Sequence, residues 1–525
     1  MDSHKIKAVL IMLIVVFAAL YLGVAAASAQ FEAIAWVMGG LGVALILALG
    51  KHVWVLIPIA LQLAGEVSLV PGNPAPWWGA AAVTMVIFTV RICLRTQNFT
   101  FRWTWLDFAI LLQMIAVGQA FVRNPTGLAV FGGDVVGGKP YIAFGFAFMA
   151  FALLSIVKAD LKVIKWVVIG MVIMSLMDGA LMFATSMIPA LGRAILPFYS
   201  GISFDTAVGG VANTDTADKR LVGAKSAGED MGKAVFSLFR PISTLNPLKP
   251  VRFLMMGISV GLILISGFRS VLGLVGMYAV VSSLVRRKPA DLVVIGSLGL
   301  LVLTGLIVTN SVEKLPFGAQ RILSVLPVDV RSDAKLDAEN SSEWRFEMWE
   351  LALTTDRYIK NKFLGDGFAF RSDELAIMRD AAFGVSRMTS QEERQELMMA
   401  KGSYHGFHVE NIRMTGAFGL LLSLIALGVF FRYAWIQIQY FRGRPEWSFI
   451  LFLCIPFLIH PFYLLLIFGA YRLGFPEILV ASGMLKVLDN IRVAELSSAR
   501  RIKREVDHLA MMKMGPPSGV PVSQG

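Results

Sequence analysis

The chain has 525 residues, of which 56% are hydrophobic and only 16% charged, and its mean hydropathy is +0.68. Soluble domains lie near one half apolar and one quarter charged, so these proportions exclude a soluble globular enzyme, and at roughly 20 residues per crossing the apolar residues suffice for about fourteen membrane helices. The formal charge of +12 fits cation-rich cytoplasmic loops rather than a nucleic-acid partner, and the two cysteines, Cys93 and Cys454, stand inside apolar runs, where neither a disulfide framework nor a cysteine metal cluster can form.

The N-terminus carries Lys5 and Lys7, an apolar run and then Ala27-Ser28-Ala29, the order of a signal peptide. Its apolar run exceeds the length of a signal core, so a retained first helix is expected. Further runs start near Phe31, His52, Trp77, Trp103, Pro140, Ile164, Phe253, Val271, Asp291, Thr415, Ser448 and, most weakly, Leu473. The expected fold is an all-α polytopic integral membrane protein of about 12 to 13 transmembrane helices with one large helical outer-face, periplasmic loop. Its segments are an N-terminal transmembrane bundle (1–190), a polar loop (191–250), membrane helices with an S-G-x-R turn (251–309), the large loop (310–414), C-terminal membrane helices (415–490) and a basic cytoplasmic tail with little structure (491–525).

Orientation follows from the cations of the short connections, which favour the cytoplasm: Arg91, Arg95 and Arg102; Lys158, Lys162 and Lys165; Arg286, Arg287 and Lys288; Arg432, Arg442 and Arg444. Seven spans before Leu191 would leave Arg252 outside, whereas Lys249, Arg252 and the Arg286 cluster belong inside. Either one early crossing is miscounted, most readily in the region from Phe31 to Val70, where Lys51, Pro58 and Glu66 interrupt the apolar pattern, or a half-helix hides between Leu191 and Pro250.

Ionisable side chains inside membrane runs are costly and so mark function by default; Glu66, Asp178, Arg269 and His460 qualify. For Glu66, Asp178 and His460 the preferred reading is a helix-to-helix hydrogen bond or a place near an interface. Arg269 stands in Ser266-Gly267-Phe268-Arg269-Ser270 between two apolar runs, a turn that can present a guanidinium at the outer face, suited to gripping a phosphate or diphosphate, or to snorkelling toward headgroups.

The large loop holds the densest set. Ser341-Ser342-Glu343 reads as a capped helix start, with Trp344, Met348 and Leu351 on one apolar face and Arg345 off it. Gly365-Asp366-Gly367 reads as a turn, and His405 and His408 precede the run entered through Gly416 and Gly419. A histidine here can be a general base near neutral pH. A metal site from His405, His408, Glu410 and Asp366 lacks a strong spacing signal. Walker loops, dinucleotide fingerprints and nucleophile elbows are absent from the sequence.

These pieces in this order resemble the superfamily of O-antigen ligases and O-antigen polymerases, bacterial membrane glycosyltransferases. The resemblance covers roughly residues 252–431: an S-G-x-R turn, an S-x-x-x-R helix and a G-x-G turn in a long outer loop, then His405 with Gly416 and Gly419 at the expected spacing. It implies a metal-independent, inverting enzyme of the bacterial inner membrane, its active site facing the periplasm. The donor would be an undecaprenyl-diphosphate-linked glycan and the acceptor a glycan or lipid A-core hydroxyl, in a setting of membrane lipids and other polysaccharide-assembly proteins. Carried over by position, Arg269 and Arg345 would hold the diphosphate, His405 would stand by the acceptor hydroxyl, and Gly365, Gly367 and His408 would line the substrate. Gly406 departs from the small polar residue usual after the family's histidine, and His408 is a rival base. Polymerisation, with the polar stretch 191–250 as additional glycan surface, ligation to lipid A core and protein O-glycosylation share this chemistry. A lipid-linked-sugar transporter, using Glu66 and Asp178, is the alternative of another class.

Overall fold

A computed structural model describes residues 50–96, 101–126, 137–200, 221–324, 326–370, 374–376, 398–400 and 402–513, together with scattered positions between 37 and 49 and Glu396. The chain divides into two compact units, Met1–Val55 and Leu56–Gly525. In the first, the described residues form helical turns ending in the 3₁₀ helix Gly50–Val55; the expected leader or first helix lies outside the described residues. Everything below concerns the second.

The second unit is helical almost throughout. Its principal helices are α1 Pro76–Cys93, α2 Trp105–Arg123, α3 Lys139–Ser155, α4 Leu161–Met187, α5 Val222–Leu238, α6 Pro250–Ser266, α7 Arg269–Val285, α8 Ala290–Val312, α9 Phe317–Leu323, α10 Ser332–Thr354, α11 Phe407–Tyr440, α12 Trp447–Leu466 and α13 Tyr471–Lys513. Six of them, α1, α2, α4, α8, α11 and α12, are long and apolar enough to cross a membrane, and α3, α6 and α7 are apolar helices of 17 residues. That makes the chain an all-α membrane protein. Leu300, Leu301 and Val293 on α8 are 65%, 66% and 70% exposed, as side chains turned to lipid would be.

Several boundaries differ from the expectation. Glu66 is in no membrane run: it opens β1 (Glu66–Val67), pairs antiparallel with β2 (Tyr199–Ser200) and accepts a 2.7 Å ion pair from Lys139. The basic tail is not unstructured up to Lys513, because α13 runs without a break from Tyr471 past Arg500 and Arg504. The loop helix begins at Ser332 rather than Ser341, and its buried stripe is Met348 and Ala352, whereas Leu351 is 37% exposed. The last membrane segments start earlier, at Phe407 and Tyr471, and α11 carries a kink at Gly416.

The largest difference is α5, inside the stretch expected to be a polar loop. It packs on α4, α6, α7 and α12, and none of its residues is exposed. A helix therefore lies between Leu191 and Pro250, the second of the two places where the charge count left room for one. Its entry depends on small residues. A Cβ on Gly223 would stand 2.3 Å from the Met182 carbonyl oxygen, and one on Gly228 2.8 Å from Ile263; a Cβ on Gly179 of α4 would stand 2.8 Å from the Ala227 Cα. Backbones this close are the small-residue packing of membrane helices, and Ser259 adds a 2.7 Å hydrogen bond to the Gly228 carbonyl.

At one end of the bundle the connection arginines find partners. Arg240 bonds Asp291 through two nitrogens at 2.8 and 2.6 Å, Arg286 donates to the Ser237 carbonyl at 2.8 Å, Arg442 donates to the Val285 carbonyl at 2.7 Å, and Arg444 grips Glu495 at 2.7 and 2.8 Å. Arg102 pairs with Asp489, and the buried Lys486 pairs with Asp107, the residue that also completes the Thr104 cap of α2.

Because Gly223 has no room for a side chain and Gly257 on the outer face of α6 has open space, Gly223→Ala should cost about 2 kcal/mol of stability and Gly257→Ala almost nothing. Thermal midpoints of the two purified variants in detergent check this; equal midpoints would remove α5 from the bundle interior.

Candidate functional site

The loop end is assembled around the segment Tyr404–His408. Met348, Ala352, Tyr358, Ile359, Met399, Tyr404 and Val409 form a small core beneath the loop, with Trp344 and Trp349 packed against it. Trp349 of α10 fixes the segment twice. Its indole N–H donates to the Tyr404 carbonyl at 2.8 Å, and its ring covers Gly406, where a Cβ would stand 2.8 Å away. That contact leaves no room for a side chain at position 406.

His405 has φ +50°, one of four non-glycine positive values among the described residues. Left-handed backbone costs an ordinary residue about 1 kcal/mol or more, and such strain persists only where surroundings enforce it, often at functional positions. Its ring meets Trp344 edge to face at 5.8 Å and Phe468, in the link between α12 and α13, at 5.5 Å. Burial, together with the cations Arg345 and Lys225, lowers the His405 pKa to about 4, so the imidazole is neutral at pH 7. His408 has different company: its ring lies 4.7 Å from Trp349. Sequence reasoning set the two histidines as rivals; the structure gives them separate neighbours on α10, and only His405 lies in the field of Arg345 and Lys225.

The S-G-x-R turn adjoins this region through its neighbours. Gly267 is left-handed at φ +73° and lies against Gly318 of α9, while the buried Arg321 of α9 donates to the Gly267 carbonyl at 2.6 Å. Phe268 lies under the Lys225 ammonium at 5.5 Å. Ser270 hydrogen-bonds the Tyr463 hydroxyl, which also lies in the fields of Glu229 and Arg345. Arg269 itself is half-buried as the first residue of α7. Thus α5, α7, α10, α12 and the 404–408 segment meet at one place, and Arg269, Arg345 and His405 all belong to elements that reach it.

Gly365 and Gly367 do a backbone task. With φ +75° and +80° they form a turn locked onto the kink of α11: Asp366 N–H donates to the Arg413 carbonyl at 2.8 Å, Gly367 N–H to Met414 at 3.0 Å, and Ala417 N–H returns to Lys362 at 2.8 Å. Gly416, at φ +78°, leaves its own Cβ position 2.1 Å from the Phe363 carbonyl oxygen. Gln119, Arg123 and Asn124 of α2 donate to the same turn. Asp366 and Glu410, offered by the sequence as metal ligands, are engaged otherwise. Asp366 accepts the Lys360 and Asn361 N–H groups at 2.8 and 2.9 Å, and Glu410 accepts the Tyr471 N–H at 2.8 Å. Among the described residues no group of three or more His, Cys, Asp or Glu side chains could hold a metal ion.

Sequence reasoning missed the interior charges of α5. Lys225, Glu229 and Lys233 recur every four residues on one side of the helix, with Asp230 beside them. Lys225 reaches the His405 region. Asp230 hydrogen-bonds Ser175 and lies near Asp178, which accepts the Tyr199 hydroxyl at 2.9 Å. Lys233 lies over the Phe452 ring at 5.4 Å and in the field of His460. Asp178 and His460 are therefore lateral parts of a polar interior, joined through a helix that looked like loop because its mean hydropathy is low.

Because burial and two cations together hold His405 neutral, Arg345→Gln should raise its titration midpoint from about 4 toward the ordinary value near 6.5, without reaching it. The pH dependence of diethylpyrocarbonate modification at His405, read by mass spectrometry, checks this, since only the neutral ring reacts. A midpoint that already stands near 6.5 in the unmodified chain would refute the buried, cation-flanked placement.

No protein-family model and no curated protein matches the chain, so the functional reading rests on the residues themselves.

Proposed function

We propose that the chain is a membrane glycosyltransferase of the O-antigen ligase and polymerase kind, taking a glycan from an undecaprenyl-diphosphate donor and giving it to an acceptor hydroxyl. The observation that carries the reading is His405. It is a neutral imidazole held in strained backbone between Trp344 and Phe468, with Arg345 and Lys225 in electrostatic reach and the Arg269 turn joined to the same region through Phe268 and Ser270. In this reading the protein is a multi-pass inner-membrane enzyme of about 12 to 13 spans, and its loop end faces the periplasm.

The chemistry asked of these residues is modest and well matched. As the anomeric carbon–oxygen bond breaks, negative charge grows on the departing diphosphate, and preorganised guanidiniums stabilise it without needing a metal. Arg269 and Arg345 take this part, with Lys225 as a third cation. His405 accepts the proton of the acceptor hydroxyl as that oxygen attacks from the opposite face, which inverts the anomeric centre. Gly365 and Gly367 hold the loop on α11, and Trp349 holds His405 in place; His408 supports Trp349.

Polymerisation and ligation share this site. The polar stretch that favoured polymerisation holds the buried helix α5, so these 17 residues offer no open surface to a growing glycan. A transporter of the lipid-linked sugar is the second reading, favoured by the charges Lys225, Glu229, Asp230 and Lys233 inside the bundle, of the kind that mark intramembrane pathways; Glu66, now outside any membrane run, no longer supports it.

The deciding experiment resolves the surface glycan of a strain lacking the protein, complemented with wild type or His405→Ala, by size and by attached lipid. The enzyme reading expects His405→Ala to leave donor glycan on undecaprenyl diphosphate in the outer leaflet, with product falling at least 100-fold. Long stranded polymer marks a ligase, and single repeat units on the final carrier mark a polymerase. Donor stranded in the inner leaflet would overturn the reading in favour of transport.

Arg269→Lys should lose nearly as much activity as Arg269→Ala, about 10-fold or more, because a point ammonium cannot reproduce a two-toothed grip. Glycan transfer with purified donor measures this, and a fully active lysine variant would take the diphosphate away from Arg269.

A further inference from the structure

The end of the bundle opposite His405 carries a cavity of about 710 Å³, walled by the C-terminus of α5, the link to α6, the end of α7 and the starts of α6, α8 and α12, and lined by Phe239, Arg240, Lys249, Arg252, Arg286 and Val294 among others. Its size is that of a small-molecule site. Four of its lining residues are cations, and none is a carboxylate. The nearest acidic partner, Asp291, is already bound by both donors of Arg240. Arg286 gives its side chain to the Ser237 carbonyl and the Ser282 hydroxyl at 2.8 and 3.1 Å; burial lowers its pKa to about 10, so it remains charged at neutral pH in a place where an anion would offset its desolvation.

Arg252 and Lys249 stand apart from the other two. The Arg252 guanidinium lies over the Phe239 ring at 4.2 Å, a cation–π contact that leaves N–H donors for a ligand. Among the described residues neither Arg252 nor Lys249 pairs with a carboxylate. The rim of the cavity is apolar and outward-facing: Leu248, Val251 and Leu254 beside the two cations are 88%, 68% and 58% exposed, and Val293 across the opening is 70% exposed. A water-soluble anion would find the cations without any use for that rim, whereas an amphiphile would use both. The rim continues onto α8, whose membrane-length stretch has none of its residues buried.

We propose that this cavity binds the headgroup of an anionic phospholipid from the surrounding bilayer, with Arg252 and Lys249 as its phosphate ligands and the outward apolar side chains of α6 and α8 against its acyl chains. Basic recesses between membrane helices are suited to such headgroups, and each cation near the phosphate is worth roughly a fivefold change in affinity. The site is independent of the glycosyltransferase reading, since it lies at the other end of the bundle.

The test is native mass spectrometry of the full-length protein in detergent, titrated with phosphatidylglycerol or phosphatidylcholine, with inorganic phosphate as competitor. The expected result is retained phosphatidylglycerol, phosphatidylcholine at least tenfold weaker, no displacement by millimolar phosphate, and a loss of about 25-fold in the Lys249→Gln/Arg252→Gln variant. Arg252→Lys, which keeps the charge, guards against a folding defect and should lose only a few-fold. Equal binding of the two lipids, unchanged binding by the double variant, or displacement by free phosphate would each overturn the proposal.

Discussion

The arrangement depends on one close approach between backbones. Helix α5 carries Lys225, Glu229, Asp230 and Lys233, yet it is surrounded on all sides. In an apolar bundle such charges are expensive, and helices in lipid gain little from burying apolar surface. What admits α5 is the absence of Cβ atoms at Gly223, Gly228 and Gly232 on its own surface and at Gly179 on α4. Dispersion and backbone contact at those positions hold it, and its polar side chains then find one another, Ser175, Tyr463 and the loop.

From this follows the position of the loop end. Lys225, near the start of α5, lies over Phe268 of the S-G-x-R turn and in the field of His405, so the helix ties membrane turn and loop segment together. Around that tie the loop is fixed by backbone pairing rather than by a large core. The G-x-G turn is stitched to the kink of α11, Arg321 clamps Gly267, and Trp349 closes over Gly406. Each uses a glycine where a side chain would collide, which is why the spacing of the glycines tracks the assembly so closely.

Membrane character, most apolar helices and the cations of the basic end were legible in the sequence because hydropathy and charge are local properties. The turn at Gly267 was legible too, as a glycine between apolar runs; the kink at Gly416 was not, because that glycine reads as the entrance of a helix that in fact begins at Phe407. Helix α5 was not, because its signal is small residues with charges between them, which reads as loop until neighbours are known. Only the alternation of charge hinted at it. Glu66 was misread for the opposite reason, since apolar neighbours concealed a turn that places it in a two-stranded pair. Of the site, residue identities could be read but not their division of labour: nothing local separates His405 from His408, and Arg321 has no motif of its own.

That division bears on how the proposed reaction would use His405. A base whose conjugate acid has a pKa near 4 is weak, because burial and the cations Arg345 and Lys225 disfavour the protonated ring. A diphosphate bound by those same cations would cancel much of their field, and each pKa unit regained corresponds to about 1.4 kcal/mol of coupling between anion and proton. Coupling of this kind is reciprocal. The anion strengthens the base, and the imidazolium formed as the acceptor hydroxyl gives up its proton stabilises the charge growing on the leaving diphosphate. In the free protein the ring is neutral; in the proposed reaction its basicity would arrive with the donor, so that proton removal would be favoured only with a leaving group in place.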